Sequence, residues 1–252
     1  MRDLTDRLVW ITGAGTGIGA AAARRLAHAG CRLVLSGRRP EPLQEVAGEI
    51  GAQAAVEVLD VADRAAVAEA GERIAARHGP VDILVNNAGI NVPRRHWPDV
   101  SHDDWEAVFR INVDGLYYCT QAVLPAMRAR GEGLIINVSS WAGARVSFLT
   151  GPAYTGAKHA VNALTENLNM EEGINGIRAC AICPGEVSTD IMDKRPVPVP
   201  ADERARMVQP EDMGETIWFV AAMPAHVCLN QIIISPTWNR MYVGFHRGTG
   251  LA

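Results

Sequence analysis

The chain has 252 residues, 48% of them hydrophobic and 21% charged, with a net charge of −4 and a pI near 6.0. This apolar content excludes a disordered chain, and the slightly acidic balance excludes a basic nucleic-acid or anionic-membrane binder. Five cysteines, an odd number without framework spacing, exclude an extracellular disulfide scaffold.

No secretion signal precedes the first apolar run, Leu8–Ile11, which reads as a short buried strand. Gly17–Ala29 reads as a helix, Cys31–Leu35 as a strand, Pro42–Ile50 as a helix, Ala55–Leu59 as a strand and Arg64–His78 as a helix. Val81–Val85, Gly133–Val138 and Gly176–Cys183 supply three more strands, with long helical patterns between them at Ser101–Met127 and Ala153–Glu172. A last helix, Pro210–Met223, precedes a buried strand, Asn230–Ser235. Strands that are continuous apolar runs are buried on both faces, and their alternation with helices implies a parallel sheet with right-handed crossovers. Seven strands and about six helices make one doubly wound α/β domain over residues 1–252, expected to be soluble and cytoplasmic.

The uncharged stretch Thr216–Asn239 is long enough to span a bilayer, but its Pro224, His226, Asn230, Gln231 and Pro236 mark it as helix, turn and strand. Val187–Gln209, with Pro196, Pro198 and Pro200, follows a strand C-terminus. Ligand crevices of open α/β sheets lie there, so this stretch is a candidate lid.

Thr12-Gly13-Ala14-Gly15-Thr16-Gly17-Ile18-Gly19 joins the first strand to the first helix. Glycines let a backbone approach a pyrophosphate, and a helix N-terminus offers unpaired N–H groups and positive dipole. Twenty residues on, an NAD site wants an acid for the ribose 2′-hydroxyl and an NADP site wants arginine for the 2′-phosphate. The chain has Ser36-Gly37-Arg38-Arg39 and no acid before Glu41, which favours NADP and leaves NAD open.

Tyr154 and Lys158 stand at i and i+4, on one helix face. The chain has only two lysines, Lys158 and Lys194, and four tyrosines, so chance would give roughly 0.03 such pairs. A neighbouring ammonium lowers a phenol pKa, which suits it to general acid/base work near neutral pH. Asn86-Asn87-Ala88-Gly89 closes the fourth strand, Asn112 interrupts an apolar helical stretch, and Ser139 and Ser140 end the fifth strand. Cys180 and Cys183 lie on a strand rather than at a helix start, without a second pair to complete a metal site, and read as buried thiols.

Taken together, these motifs resemble the short-chain dehydrogenase/reductase family, in its order and spacing from about residue 6 to 236. The resemblance implies a seven-stranded Rossmann fold with helices on both faces, a nicotinamide cofactor and a catalytic tetrad of Asn112, Ser140, Tyr154 and Lys158. Ser140 is preferred to Ser139 because the family's serine precedes x-x-Gly, here Trp141-Ala142-Gly143. It also implies cofactor contacts at Gly13, Gly15, Thr16, Gly17, Ile18, Gly19, Arg38, Arg39, Asp60, Val61, Asn87, Ala88, Gly89, Tyr154, Lys158, Pro184, Gly185, Val187 and Thr189.

Thr16 stands where many NADP-dependent members carry a cation, which keeps NAD open. No metal is implied. The expected activity is hydride transfer between NADP(H), or NAD(H), and a secondary alcohol or ketone; a non-catalytic nucleotide sensor and an epimerase or dehalogenase are the alternatives. The partner is a small carbonyl or alcohol, not nucleic acid or membrane. The family also implies a homotetramer built on the two long helices, with Trp105, Phe109, Leu116, Val161 and Leu168 on their apolar faces. Loops expected at the substrate end carry Arg94, Arg95, His96, Trp97, Trp141, Arg145, Phe148, Met192 and Arg195, a set that would suit a carboxylated or phosphorylated ketone.

Overall fold

The structure is a computed structural model, and it describes residues 1–194 and 199–243. Arg195, Pro196, Pro198 and the tail beyond Val243 lie outside the described residues. Seven strands form one sheet: β1 (Leu8–Thr12), β2 (Arg32–Gly37), β3 (Ala54–Val58), β4 (Ile83–Asn86), β5 (Gly133–Val138), β6 (Ile177–Pro184) and β7 (Gln231–Ile234). Their order is β3-β2-β1-β4-β5-β6-β7 and every pairing is parallel. The strand order reverses between β1 and β4, so a crevice opens at the carboxyl ends of those two strands.

Side chains of successive strand residues divide between the two faces. Val9, Ile11, Leu33 and Leu35 pack into a core with α1 (Gly17–His28), α2 (Pro40–Ile50) and α9 (Pro210–Ala221). Leu8, Trp10 and Val34 pack on the other face against α3 (Arg64–His78) and α5 (Gly115–Arg130). Trp10 is fully buried, and its indole N–H is satisfied by Ser36 Oγ at 2.9 Å. The alanines of α1 let α9 come close: a Cβ on Gly214 would stand 2.9 Å from the Ala21 carbonyl oxygen. Buried on both faces, the central strands confirm the Rossmann arrangement expected from their apolar runs.

The remaining helices are α4 (His102–Phe109), α6 (Trp141–Ala144), α7 (Gly151–Glu172) and α8 (Ala201–Arg204). Two expectations need correction. The pattern at Ser101–Met127 is not one α-helix: α4 and α5 are separated by a π turn, Arg110–Asp114. Within it Asn112 Nδ2 donates to the Val108 carbonyl at 2.8 Å, taking the acceptor that the i−4 backbone ladder would use. β7, expected to be buried, is half exposed, because it is an edge strand that pairs, among the described residues, with β6 alone; Ile233 is 44% exposed.

Cys180 and Cys183 are buried free thiols on β6, as expected, and burial pushes the Cys180 thiol up to about 12. Among the described residues no helix is long and apolar enough to cross a membrane. Of the residues assigned to the helix faces, Val161 and Leu116 face the core and Leu168 packs against it. Trp105, stacked on Phe109 at 4.8 Å, is 38% exposed.

Candidate active site

A cleft of about 630 Å³ opens at the β1–β4 reversal, within the size range of cofactor and substrate sites. One end is built by the turn after β1. Gly13 has φ +64°, and a Cβ there would stand 2.9 Å from Asn87 Nδ2, so only glycine fits. Asn87 fastens this turn to the end of β4: its Nδ2 donates to the carbonyls of Thr12 and Gly13 at 3.1 and 3.0 Å. The backbone N–H groups of Asn87 and Ala88 in turn donate to Thr12 Oγ1.

Helix α1 then starts at the cleft. Its N-cap, Thr16, makes no side-chain cap bond, and its first turn holds no acid. A helix start left uncapped and facing a cleft suits a phosphate. Arg38 and Arg39, at the end of β2, line the same cleft and are exposed. A glycine turn that excludes side chains, an uncapped helix start and two exposed guanidinium groups fit a dinucleotide.

The other end carries the candidate reacting groups. Ser140, Tyr154 and Lys158 all line the cleft. The structure separates the two serines. Ser139 is buried and donates its hydroxyl to the Lys158 carbonyl at 3.2 Å, whereas Ser140 caps α6, accepting from Ala142 N–H at 3.1 Å. Accepting there leaves the Ser140 O–H available to donate.

Tyr154 and Lys158 lie one turn apart on α7, with the ammonium 5.5 Å from the phenol ring centre. Lys158 is 4% exposed, and Nζ donates to the Val138 carbonyl at 2.9 Å. Burial pulls this ammonium down to about 8 from its ordinary 10.5, with the Cys183 sulfur opposing the shift.

Asn112 does not line the cleft. It sits behind it, with Nδ2 donating to the carbonyls of Ile90 and Val108 and Oδ1 buried without a hydrogen-bond partner among the described residues. Gly89 lies between: a Cβ on it would stand 2.7 Å from Asn112 Oδ1 and 3.5 Å from Lys158 Nζ. The asparagine side chain projects from the π turn into this space.

Of the expected cofactor residues, Gly13, Thr16, Gly17, Ile18, Arg38, Arg39, Asn87, Ala88, Gly89, Pro184, Gly185, Val187 and Thr189 line the cleft. Gly15, Gly19, Asp60 and Val61 do not. Gly15 lies under α2 near Pro42, and Gly19 packs on the Gly13 carbonyl. Asp60 is an exposed turn residue that accepts from Ala62 N–H, and Val61 is buried near Gly115.

At the substrate end Arg95, Trp141 and Met192 line the cleft, while Arg94, Trp97, Arg145 and Phe148 are exposed outside it and His96 stacks on Phe148. Asn91, Leu149, Thr150, Asn239 and Met241 also line it, and sequence reasoning misses them. Nothing in their spacing marks them, since each is brought in by a loop or a short helical turn.

Residues 7–197 match the short chain dehydrogenase family model. An uncharacterized oxidoreductase of Staphylococcus saprophyticus is 35% identical over 244 residues, covering 94% of this chain and all of that relative. Among solved structures, the closed form of serine dehydrogenase complexed with NADP+ superposes with a TM-score of 0.83 at 35% identity, covering 91% of this chain and 94% of that one. A 3-ketoacyl-(acyl-carrier-protein) reductase of Brucella melitensis complexed with NADH gives 0.85 at 28% identity, covering 92% and 98%. The cleft at the strand reversal, its glycine turn and these matches agree: the chain belongs to the short-chain dehydrogenase family of oxidoreductases.

Proposed function

We propose that the protein interconverts a secondary alcohol and its ketone with NADP(H), and less readily with NAD(H), through Ser140, Tyr154, Lys158 and Asn112. The observation that carries this reading is the convergence of the Ser140 hydroxyl, the Tyr154 phenol and a buried Lys158 ammonium on one cleft. The bound cofactor supplies or accepts the hydride. In reduction Tyr154 gives its proton to the carbonyl oxygen; in oxidation it takes the hydroxyl proton. Ser140 donates a hydrogen bond to the same oxygen and stabilises the negative charge that develops there. Lys158 stabilises the phenolate that Tyr154 becomes, and the Asn112 oxygen holds a water that hands the proton on from Lys158.

The cofactor's phosphates fit the start of α1, and Asn87, Ala88, Gly89, Pro184, Gly185, Val187 and Thr189 would hold its remainder. Arg38 and Arg39 support the preference for a 2′-phosphate. Arg95, a buried cation lining the substrate end, favours a ketone or alcohol that also bears a carboxylate. Serine, after which one solved neighbour is named, is of that class. We further infer one catalytic domain acting in the cytoplasm, with the described parts of 187–209 as its lid. A homotetramer is supported by exposed Trp105 and Tyr117 on α4 and α5, by Phe219 on α9 and by Ile233 on the edge strand β7.

The test is nicotinamide absorbance with NADPH and NADH against ketones, keto acids and secondary alcohols, with Tyr154→Phe beside the wild type. Turnover should fall in the variant by roughly 10²- to 10⁴-fold with cofactor binding kept. Near-normal turnover in the variant would sink the assignment. Cofactor binding without any turnover would favour the non-catalytic sensor, and turnover without net cofactor change an epimerase.

A further inference from the structure

The last described stretch of the chain lies over its own cleft. Asn239 and Met241 line it, and the Tyr242 ring meets Trp141, the residue after Ser140, edge-on with centroids 5.8 Å apart. Residues 240–243 are helical. Asn239 starts the turn: its Oδ1 accepts from Met241 N–H at 3.0 Å, and its carbonyl accepts from the N–H groups of Tyr242 and Val243 at 2.9 Å each.

Charge fastens this turn to the edge of the cleft. Arg240 Nε and Nη2 donate to the two carboxylate oxygens of Glu186 at 2.8 and 2.6 Å, a forked pair. Its Nη1 donates to Glu203 at 2.6 Å. The three side chains are 14–28% exposed, so solvent screens them less than a surface pair. Glu186 follows Pro184-Gly185 at the end of β6, and Glu203 is on α8. The next residue, Arg204, reaches the other way, donating to Asp193 at 2.7 Å and to the Thr189 carbonyl at 3.2 Å. α8 therefore holds the C-terminal turn on one side and the cleft-lining segment 189–193 on the other.

We propose that residues 238–243 form the substrate-side wall of the cleft and set its specificity. Arg240 is the positioning residue, and Met241 is the side chain that meets the substrate. The proposal rests on the reading of this cleft as the site of carbonyl reduction. With Trp141, Leu149 and Met192 also lining the cleft, the substituent that faces Met241 is apolar, and a thioether adapts to its shape. Substituting Met241 changes the size of that substituent's pocket, whereas substituting Arg240 releases the whole wall.

The experiment compares wild type, Arg240→Ala, Arg240→Lys, Met241→Ala and Met241→Trp on ketones of increasing side-chain size, with amide exchange at Tyr242 and Val243 measured in each. Arg240→Ala should raise the KM for ketone about tenfold or more, leave the KM for cofactor within about twofold, and speed exchange at both amides about tenfold. Arg240→Lys should recover part of each effect. Met241→Ala should shift preference toward bulkier ketones and Met241→Trp toward smaller ones, with the ion pairs and the melting temperature untouched.

An unchanged size preference in both Met241 variants overturns the proposal. So does wild-type exchange at Tyr242 and Val243 in Arg240→Ala. Should the wild type reduce no ketone at all, the reading of the cleft fails. The exchange rates then still decide whether Arg240 holds the wall.

Discussion

The side-chain oxygen of Asn112 and the ammonium of Lys158 flank the bare α-carbon of Gly89, each within reach of a methyl placed there, at 2.7 and 3.5 Å. Asn112 Oδ1 is a buried acceptor with no hydrogen-bond partner among the described residues, and buried acceptors in native proteins are satisfied, which is the basis for the proposed water between it and Lys158. Gly89→Ala fills that space. It should lower kcat by about 10-fold or more by breaking the proton path, as a positioned proton-transfer group contributes roughly 10²–10⁴ at most. Asn112→Ala attacks the same water from the other side and should cost a similar factor. Steady-state kcat for both variants tests this, and undiminished turnover in Gly89→Ala would remove the relay.

Lys158 is a buried ammonium, and its position in the fold should be costly to stability. Its folded pKa is about 8 against an ordinary 10.5, so between these values the unfolded chain binds a proton that the folded chain has released. Stability from this site therefore rises with pH across that window. Below about 8 the full penalty stands, of order 3 kcal/mol at about 1.36 kcal/mol per pKa unit. Lys158→Met should melt several degrees above wild type at pH 7, lose turnover, and lose its thermal advantage as pH climbs toward 10.5. Melting curves without cofactor across that range check it. A gap that stays constant with pH would show that burial of the charge is not its source.

The reach of sequence reasoning divides along a physical line. Gly13, Asn87, Tyr154 and Lys158 were legible as candidates because each is fixed by local pattern, a turn at a strand end or two residues one helical turn apart, whereas Ser140 was told from Ser139 only by the family resemblance. The π turn at Asn112 was not. Hydrophobic period registers a helix on both sides and cannot show a side chain competing with the backbone for the Val108 carbonyl. Nor does an apolar run such as Ile232–Ile234 tell a central strand from an edge strand, since only the pairing partner does. Arg95 and Arg145 look alike as loop arginines, and they differ because one loop folds under the cleft wall and the other faces solvent. The clamp on Arg240 joins residues 54 and 37 positions away, a spacing that no motif encodes.

The proposed preference for NADP rests on the end of β2. Arg38 and Arg39 are exposed, line the cleft and meet no carboxylate among the described residues, so their charge is available to a phosphate. Arg38→Ala should raise the KM for NADPH about 10-fold or more and leave that for NADH nearly unchanged, because only the former offers a 2′-phosphate for forked contact. Adding salt should weaken NADPH binding more in the wild type than in the variant. Equal effects on the two cofactors would assign these arginines to the solvated start of α2 instead.

We propose that Arg95 reads the charge of the substrate. It is 6% exposed and lines the cleft with Ser140 and Tyr154, whereas Arg145 is exposed and lies off it. A guanidinium in a partly desolvated cleft binds a carboxylate far better than a solvated one does, because the local dielectric is lower. Arg95→Gln should therefore raise the KM for a keto or hydroxy acid by one to two orders of magnitude and leave a neutral ketone of the same size within about threefold. Arg145→Ala should change neither. The comparison is internal, so loss of stability in the variant moves both substrates together and only a charge effect separates them. Parallel changes for the acid and the neutral ketone would mean that Arg95 shapes the cleft wall rather than reading the substrate's charge.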